Sequence, residues 1–193
     1  MSTTENRIEY GLENVHYAKI TSEASDGTLT YEKPKRLPGA VKIDLEPQGE
    51  TINFQADNTD YYNGETNQGY SGTLTIAKMT EEFEAEILGQ KKGSDGTLSE
   101  FSDANASKFA LLFQFEGDQN AIRHVLFKCS VSRPKAGSET KKADPNTTEL
   151  SFTASPRIKD KKVKTKTTKD IKKEVYDKWF EKVYEPEDGV TLT

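Results

Sequence analysis

The chain has 193 residues, of which 33% are hydrophobic and 31% charged, with a formal net charge of −5 and a single cysteine. One cysteine excludes the disulfide framework that stabilises many small secreted domains. No apolar run reaches the roughly 20 residues that a membrane-spanning helix needs, and the first residues, MSTTENRIEYG, lack the basic and apolar regions of a signal peptide. We therefore expect a protein made in the cytoplasm, without membrane insertion.

The length is that of one domain with short tails. We expect an N-terminal arm at residues 1–11, one β domain at residues 12–183 and a C-terminal tail at residues 184–193. Charge is distributed unevenly, because residues 157–182 contain eleven Lys or Arg and five Asp or Glu. This segment is therefore basic, while the rest of the chain is acidic.

The first third of the chain alternates between apolar and polar residues, which predicts β-strands. NVHYAKI (14–20) is the first of them, and Asp26-Gly27 marks a turn before a short second strand. AVKIDLEP is predicted to turn one face to the core and the other to water. The expected core face carries Val41, Ile43 and Leu45, and the wet face carries Lys42, Asp44 and Glu46.

TINFQA (51–56) is expected to pair back on the preceding strand. A long polar loop is then predicted over about 57–69, DNTDYYNGETNQG. Long loops in compact domains are uncommon and often functional. This one carries adjacent tyrosines, Tyr61 and Tyr62, and exposed aromatic side chains on a polar loop indicate a contact surface.

GYSGTLTIAKM predicts a half-buried strand, with Leu74 and Ile76 on its core face. A helix of about two turns follows. Thr80 can cap its first turn, which is rich in glutamate, and Gly89 can take the left-handed conformation that ends it. Residues 91–107 are interpreted as a turn-rich linker.

KFALLFQFEGDQNAIRHVLFKCSVSRP (108–134) is the strongest predicted hairpin and is expected to form the centre of the core, with its turn at 117–120. On its return strand, alternate residues should share one face: Val125, Phe127, Cys129 and Val131. A second polar excursion is predicted at 133–146.

The last third should contain a strand at TELSFTA, with Leu150, Phe152 and Ala154 inward. KKVKTKTT predicts an edge strand, protected by its lysines against unwanted pairing. A helix is predicted at about 169–183, with an apolar stripe from which Trp179 should dock on the rest of the protein. The expected fold class is thus mainly β: an antiparallel sandwich or barrel with one short flanking helix and a C-terminal helix.

Catalytic, metal and cofactor sites are not expected. Cys129 lies on an apolar strand face, where a thiol acts as a small hydrophobic group. His16 and His124 lack the spacing of a metal site. The acidic loop lacks the ligand spacing of a calcium loop, and no phosphate-binding loop or nucleophile elbow is present. An enzyme is therefore not the expected class.

Taken in order, these segments resemble the major tail proteins of long, non-contractile-tailed bacteriophages of Gram-positive hosts. The resemblance spans roughly residues 8–180. It rests on the start IEYGLENVHYAKIT, the hairpin AVKIDLEPQGETINFQADN, the strand GYSGTLTIAKM, the helix TEEFEAEILGQKK and the pair KFALLFQFEG and RHVLFKCSV.

The resemblance implies a virion protein of the tail-tube fold, assembled in the host cytoplasm. In that family six subunits form a ring, their inner strands join into one barrel, and stacked rings form the tube that conducts DNA into the host. It also implies a tape-measure protein in the bore, and a tail terminator and baseplate or distal tail proteins at the ends. The loop between the inner strands would contact the neighbouring ring; its residues here include Asp57, Asp60, Tyr61, Tyr62 and Glu65.

A bore that conducts DNA should be acidic or neutral, because basic groups would bind the phosphates. The polar faces of two predicted strands supply such a lining. The expected lining residues are Asp44, Glu46, Ser71, Thr73 and Thr75, with Lys42 as an unfavourable exception unless a carboxylate pairs with it. The basic segment 157–182 should then lie away from the bore.

Two other functions remain open at this point. A stand-alone β-sandwich could bind carbohydrate or protein through Tyr61, Tyr62 and Tyr70, and the basic segment 157–182 could bind nucleic acid. Both alternatives predict a discrete monomer or dimer, whereas the tail-tube interpretation predicts polymers.

Overall fold

The computed structural model describes residues 11–56, 59–115, 121–135, 137 and 146–185. Its strands are β1 (Leu12–Glu23), β2 (Leu29–Tyr31), β3 (Lys35–Arg36), β4 (Ala40–Gln48), β5 (Thr51–Ala56), β6 (Thr59–Glu65), β7 (Gly69–Ile76), β8 (Lys91–Lys92), β9 (Leu98–Ser99), β10 (Phe109–Phe115), β11 (Arg123–Val131), β12 (Thr148–Ala154) and β13 (Lys164–Lys166). Its helices are α1 (Glu81–Glu86) and α2 (Lys173–Asp177). The mainly β class is confirmed.

One antiparallel sheet dominates the structure. Its strand order is β2-β1-β10-β11-β12-β7-β4, with β3 added to β1 and β13 added to β11. β5 with β6 and β8 with β9 form separate two-stranded hairpins. β13 pairs only with β11 among the described strands, as expected of a lysine-rich edge strand.

The sheet folds over a single main core. Buried side chains of both halves meet there, including Tyr17 and Phe109 from the β1-β10-β11 half and Leu74 and Leu150 from the β12-β7-β4 half. Because an antiparallel strand turns alternate residues to opposite faces, the β12-β7-β4 half keeps its second face for water. The predicted inward residues of the β7 and β12 segments are confirmed as buried or packed against this core.

Helix α1 closes the core at one end. Thr80 caps it as predicted, since its hydroxyl accepts a hydrogen bond from the Phe83 N–H at 3.3 Å. Phe83 is fully buried and meets Tyr17 and Phe109 edge-on, at centroid distances of 5.0 and 5.8 Å. Gly89 has the predicted left-handed conformation, with φ of +78°.

Residues 171–185, which we call the C-terminal segment, cover the outer face of the β1-β10-β11 half. Trp179 is 1% exposed and packs over Val125 and Phe127, which confirms its predicted docking. The predicted helix at 169–183 is wrong in extent, because α2 spans only Lys173–Asp177. The Tyr176 carbonyl accepts hydrogen bonds from the Trp179 N–H, three residues later, and from the Arg123 guanidinium. Regular α-helical hydrogen bonding therefore ends at this point.

Two β-bulges make part of the predicted face assignments of β4 and β11 wrong. The register of β4 on β7 shifts between Ala40 and Lys42, and Val41 is 56% exposed, while Ile43 and Leu45 pack against the core.

The second bulge is in the pair of β10 and β11, where the register shifts between Phe109 and Leu111. A bulge inserts one extra residue into one strand, so residues beyond it point to the opposite face from the one that simple alternation predicts. The face predicted for β11 therefore divides: Cys129 and Val131 meet the main core, and Val125 and Phe127 meet the C-terminal segment.

The predicted pairing of 51–56 with β4 is wrong. β4 pairs with β7, and β5 pairs with β6. The expected loop at 57–69 is therefore mostly strand: 59–65 form β6, which contains Asp60, Tyr61, Tyr62 and Glu65, and Asp57 lies outside the described residues. The linker at 91–107 contains the small hairpin β8-β9. The expected turn at 117–120, residues 1–10 and 186–193, and most of 133–146 also lie outside the described residues.

Candidate functional site

The wet face of the β12-β7-β4 half brings together all five predicted lining residues. Registered cross-strand pairs place Asp44 beside Thr73 and Glu46 beside Ser71, and Thr75 lies next along β7 on the same face. Residues directly opposite in an antiparallel pair share a face. The five side chains therefore form one polar surface, which we call the polar face.

Strand β12 enlarges the polar face with residues that were not among the predicted lining residues. Glu149, Ser151 and Thr153 are exposed opposite Thr75, Thr73 and Ser71. Their alternation with buried Leu150, Phe152 and Ala154 was visible in the sequence, and only the partner strand was unknown. Ser130, at the end of β11, continues the row beside Thr153.

The charge of the polar face is negative. It carries the carboxylates Asp44, Glu46 and Glu149 against Lys42, a formal net charge of −2. The Lys42 ammonium lies 2.6 Å from a carboxylate oxygen of Asp44, which supplies the pairing that an acidic lining required. Both side chains are more than half exposed, so this pair sets local charge and adds little stability.

The C-terminal part of the basic segment lies on the opposite side of the molecule. Residues 171–184 pack against the outer face of the β1-β10-β11 half, so two strand layers and the main core separate them from the polar face. Lys172, Lys173 and Lys178 are exposed there. β13 is different, because it lies beside β11, and Lys164 reaches the Tyr70 ring at 4.6 Å.

Arg157 anchors the end of this C-terminal segment. Its guanidinium is almost fully buried, donates to both carboxylate oxygens of Glu185 at 2.7 and 2.8 Å, and pairs with Asp160. It also lies over the Phe127 ring, 4.2 Å from the centroid. Burial acts to raise the pKa of Asp160, but hydrogen bonds from Arg157 and from the Lys162 N–H outweigh it and lower this pKa to about 2. These contacts attach the segment to the sheet.

The polar face has two open edges. In the order β11-β12-β7-β4, β4 has no partner on its outer side among the described strands. At the other side, the pairing of β10 on β11 ends at Phe109 with Cys129, and Ser130 and Val131 pair only with β12 within the described chain. Open strand edges carry unpaired backbone donors and acceptors, which are templates for a further strand.

A separate hairpin connects two strands of the polar face, β4 and β7. β5 follows β4 in the chain, β6 precedes β7, and β5 and β6 pair with each other as a separate two-stranded unit; we call them the distal hairpin (residues 51–65). Among its residues with described side chains, none belongs to either core cluster, and Ile52 is 46% exposed. Tyr70 is half-buried against the main core rather than on an open aromatic surface.

The remaining candidates have structural roles. Cys129 is fully buried, and burial raises the pKa of its thiol. Burial lowers the pKa of His16, whose ring stacks on Phe180 at 4.7 Å, and His124 stacks on Phe113 at 5.1 Å. Within the described ranges, no cluster of three or more His, Cys, Asp or Glu could hold a metal, and no helix is long and apolar enough to cross a membrane.

A family model described as "Phage tail tube protein" matches residues 2–187 of the chain. Among solved structures, the chain is similar to the sheath/tube terminator of the PVC extracellular contractile injection system, with 10% identity, a TM-score of 0.52 and coverage of 86% of this chain and 100% of that one. It also matches the tube-terminating cap of the anti-feeding prophage, with 10% identity, a TM-score of 0.45 and coverage of 87% and 99%. No curated protein sequence is significantly similar.

Proposed function

This chain belongs to the phage tail tube protein family, and we propose that its copies assemble into stacked rings that form the tube through which phage DNA passes. As a member of that family it is a structural component of the virion tail and not an enzyme. The observation that best supports the proposed assembly is a four-stranded sheet with one acidic polar face and two open edges.

The strand directions are compatible with closure between copies. β11, β12, β7 and β4 alternate in direction, because each pairs antiparallel with the next. When copies repeat around an axis, β4 of one copy therefore meets β11 of the next in antiparallel orientation. With an odd number of strands in each copy, the strands that meet between copies would instead be parallel. Closure would also remove every edge from the polar face.

The rest of the proposal follows the family resemblance. Six copies would form a ring, with the polar face toward the bore and the C-terminal segment outside. Residues 12–183 would form the tube domain, and the N-terminal arm (1–11) and C-terminal tail (184–193) would flank it. The tube would belong to a long, non-contractile tail of a phage of Gram-positive bacteria. A tape-measure protein would occupy the bore during assembly in the host cytoplasm, with a terminator and distal tail proteins at the ends.

We expect the purified protein to form rings or hollow tubes at high concentration, without nucleotide, metal or nucleic acid, because assembly buries open strand edges. Electron microscopy and light scattering across a concentration series measure this. A strictly monomeric protein that also forms no tubes when coexpressed with other tail proteins would contradict the proposal and favour a stand-alone binding module.

A disulfide can report the proposed junction. Glu46 and Ser130 lie three strand spacings apart across one copy, about 14 Å, and a disulfide needs Cβ atoms about 4 Å apart. The double variant Glu46→Cys with Ser130→Cys, or with Ser132→Cys for a shifted register, should therefore crosslink only between copies. Each single variant is the control, since Cys129 is fully buried. A ladder of crosslinked oligomers supports the junction, and its absence in assembled tubes at both registers rejects it.

The distal hairpin is expected to be necessary for ring stacking and dispensable for folding. Replacing residues 51–65 by Asn-Gly should keep the melting temperature, because the Thr66 N–H already bonds the Glu50 carbonyl at 3.0 Å across the cut and no described side chain of the hairpin enters a core. Tube length by electron microscopy should fall to single or few rings. Normal tube growth by this variant would remove the hairpin from the stacking mechanism.

A further inference from the structure

The distal hairpin leaves the sheet through a bulged junction. Between the registered pairs Gln48–Gly69 and Thr51–Glu65, the outgoing chain has two residues and the returning chain has three. One extra residue on one strand of an antiparallel pair bends the ladder and increases its twist. The distal hairpin is accordingly a separate two-stranded unit and not an extension of the main sheet.

Thr66 joins the two sides of this junction with its side chain. Its hydroxyl accepts from the Glu50 N–H at 2.8 Å and donates to the Glu50 carbonyl at 3.2 Å. Its own N–H also donates to the Glu50 carbonyl, at 3.0 Å. Both backbone groups of Glu50 are thus held by one residue of the returning strand.

Gly49 permits the close approach that these bonds require. A Cβ built at Gly49 would lie 2.0 Å from the Thr66 carbonyl oxygen, a distance that no side chain could tolerate without a shift of the backbone. The Asn67 side chain adds a hydrogen bond to the Gly69 N–H at 3.0 Å, which fixes the end of the returning segment. The junction therefore has one well-defined path.

Core packing does not explain this arrangement. Glu50, Thr51, Asn67 and Gln68 are exposed, and neither core cluster includes a residue of the junction. The junction is therefore held by the hydrogen bonds of Thr66 and not by packing against either core cluster.

We propose that the junction is a fixed elbow, in which Gly49 and Thr66 are positioning residues that set the angle of the distal hairpin toward a second copy of this chain in the neighbouring ring. This inference rests on the proposed function, because it assumes that the hairpin makes the stacking contact. Its structural part concerns one chain alone and can be tested on the monomer.

The monomer test measures the angle directly. Spin labels on the exposed positions Ile52→Cys in the hairpin and Thr30→Cys in β2 give a distance distribution between hairpin and body. We expect a narrow distribution for the parent and for Thr66→Ser, which keeps the hydroxyl, and a broadened or shifted one for Thr66→Val, which has nearly the same shape without it. An unchanged distribution for Thr66→Val would overturn the elbow.

The assembly test separates this inference from the proposed function. Thr66→Val removes both hydrogen bonds of the hydroxyl, and each neutral hydrogen bond shifts an equilibrium by roughly twofold to tenfold. The critical concentration for tube growth should therefore rise by about fourfold or more. Thr66→Ser should restore it, and the melting temperature of the monomer should stay the same in both. If the 51–65 replacement abolishes stacking but Thr66→Val assembles like the parent, only the elbow is wrong. If the replacement itself stacks normally, the stacking role of the hairpin is wrong.

Discussion

Phage that carry Asp44→Lys together with Glu46→Lys are expected to assemble tails of normal shape and to fail in DNA ejection. The double change converts the polar face from a formal net charge of −2 to +2 in every copy, because each substitution replaces a negative by a positive charge. Lysines that contact phosphates release counterions and bind the duplex, and the effect increases steeply with the number of contacts. A lining of repeated copies would therefore hold DNA that must slide.

The fold should tolerate this change. Asp44 and Glu46 are exposed, and the ion pair of Asp44 with Lys42 is more than half exposed, so its loss costs little stability. The matched control is Glu174→Lys with Asp177→Lys, which adds the same charge on the exposed side of α2, away from the polar face. Asp44→Asn with Glu46→Gln is a second control, because it removes the negative charge without adding lysines.

The measurement is the fraction of DNA released from purified virions after triggering, at low and high salt. We expect strong retention for the lysine pair on the polar face, partial relief at high salt because salt weakens phosphate binding, and normal release for both controls. Normal release by the polar-face variant, with tubes of normal shape, would show that these residues do not line the bore.

Trp179→Ala should lower the free energy of unfolding by about 3–5 kcal/mol, the usual cost of removing a large buried aromatic side chain. Trp179 is 1% exposed, stacks on Tyr184 at 5.2 Å, and donates from its ring N–H to the His124 carbonyl at 3.5 Å. Small domains are stable by only about 5–15 kcal/mol, so this loss is a large fraction of the total.

Urea denaturation of the monomer, followed by circular dichroism, measures the effect. The matched control is Phe101→Ala, because Phe101 is 43% exposed and makes one cation–π contact, with Lys91 at 4.9 Å. Its truncation should cost less than about 1 kcal/mol. A loss below about 1 kcal/mol for Trp179→Ala would show that the C-terminal segment contributes little to the fold.

Local features were predictable from the amino-acid order. The cap at Thr80, the left-handed Gly89, the alternation in β7 and the inward residues of β12 depend on neighbours within a few residues. The acidic face of β4 and β7 was predictable for the same reason, because alternation alone assigns Asp44, Glu46 and Thr73 to one side of their strands. The docking of Trp179 followed from its apolar stripe.

Strand partners and bulges were decided only in the tertiary structure. Alternation is the same whichever strand pairs with β4, so it could not distinguish β5 from β7 as the partner or show that 59–65 return as a strand. A bulge at Val41 and another in β11 exchange faces through contacts with distant strands, and no local pattern marks them. The end of α2 at Asp177 depends on Arg123, which lies far away in sequence. Arg123 donates a hydrogen bond to the Tyr176 carbonyl, which in a longer helix would accept from the backbone N–H four residues later. Sequence thus determined which residues share a face over short stretches, while long-range hydrogen bonds and packing decided which faces meet.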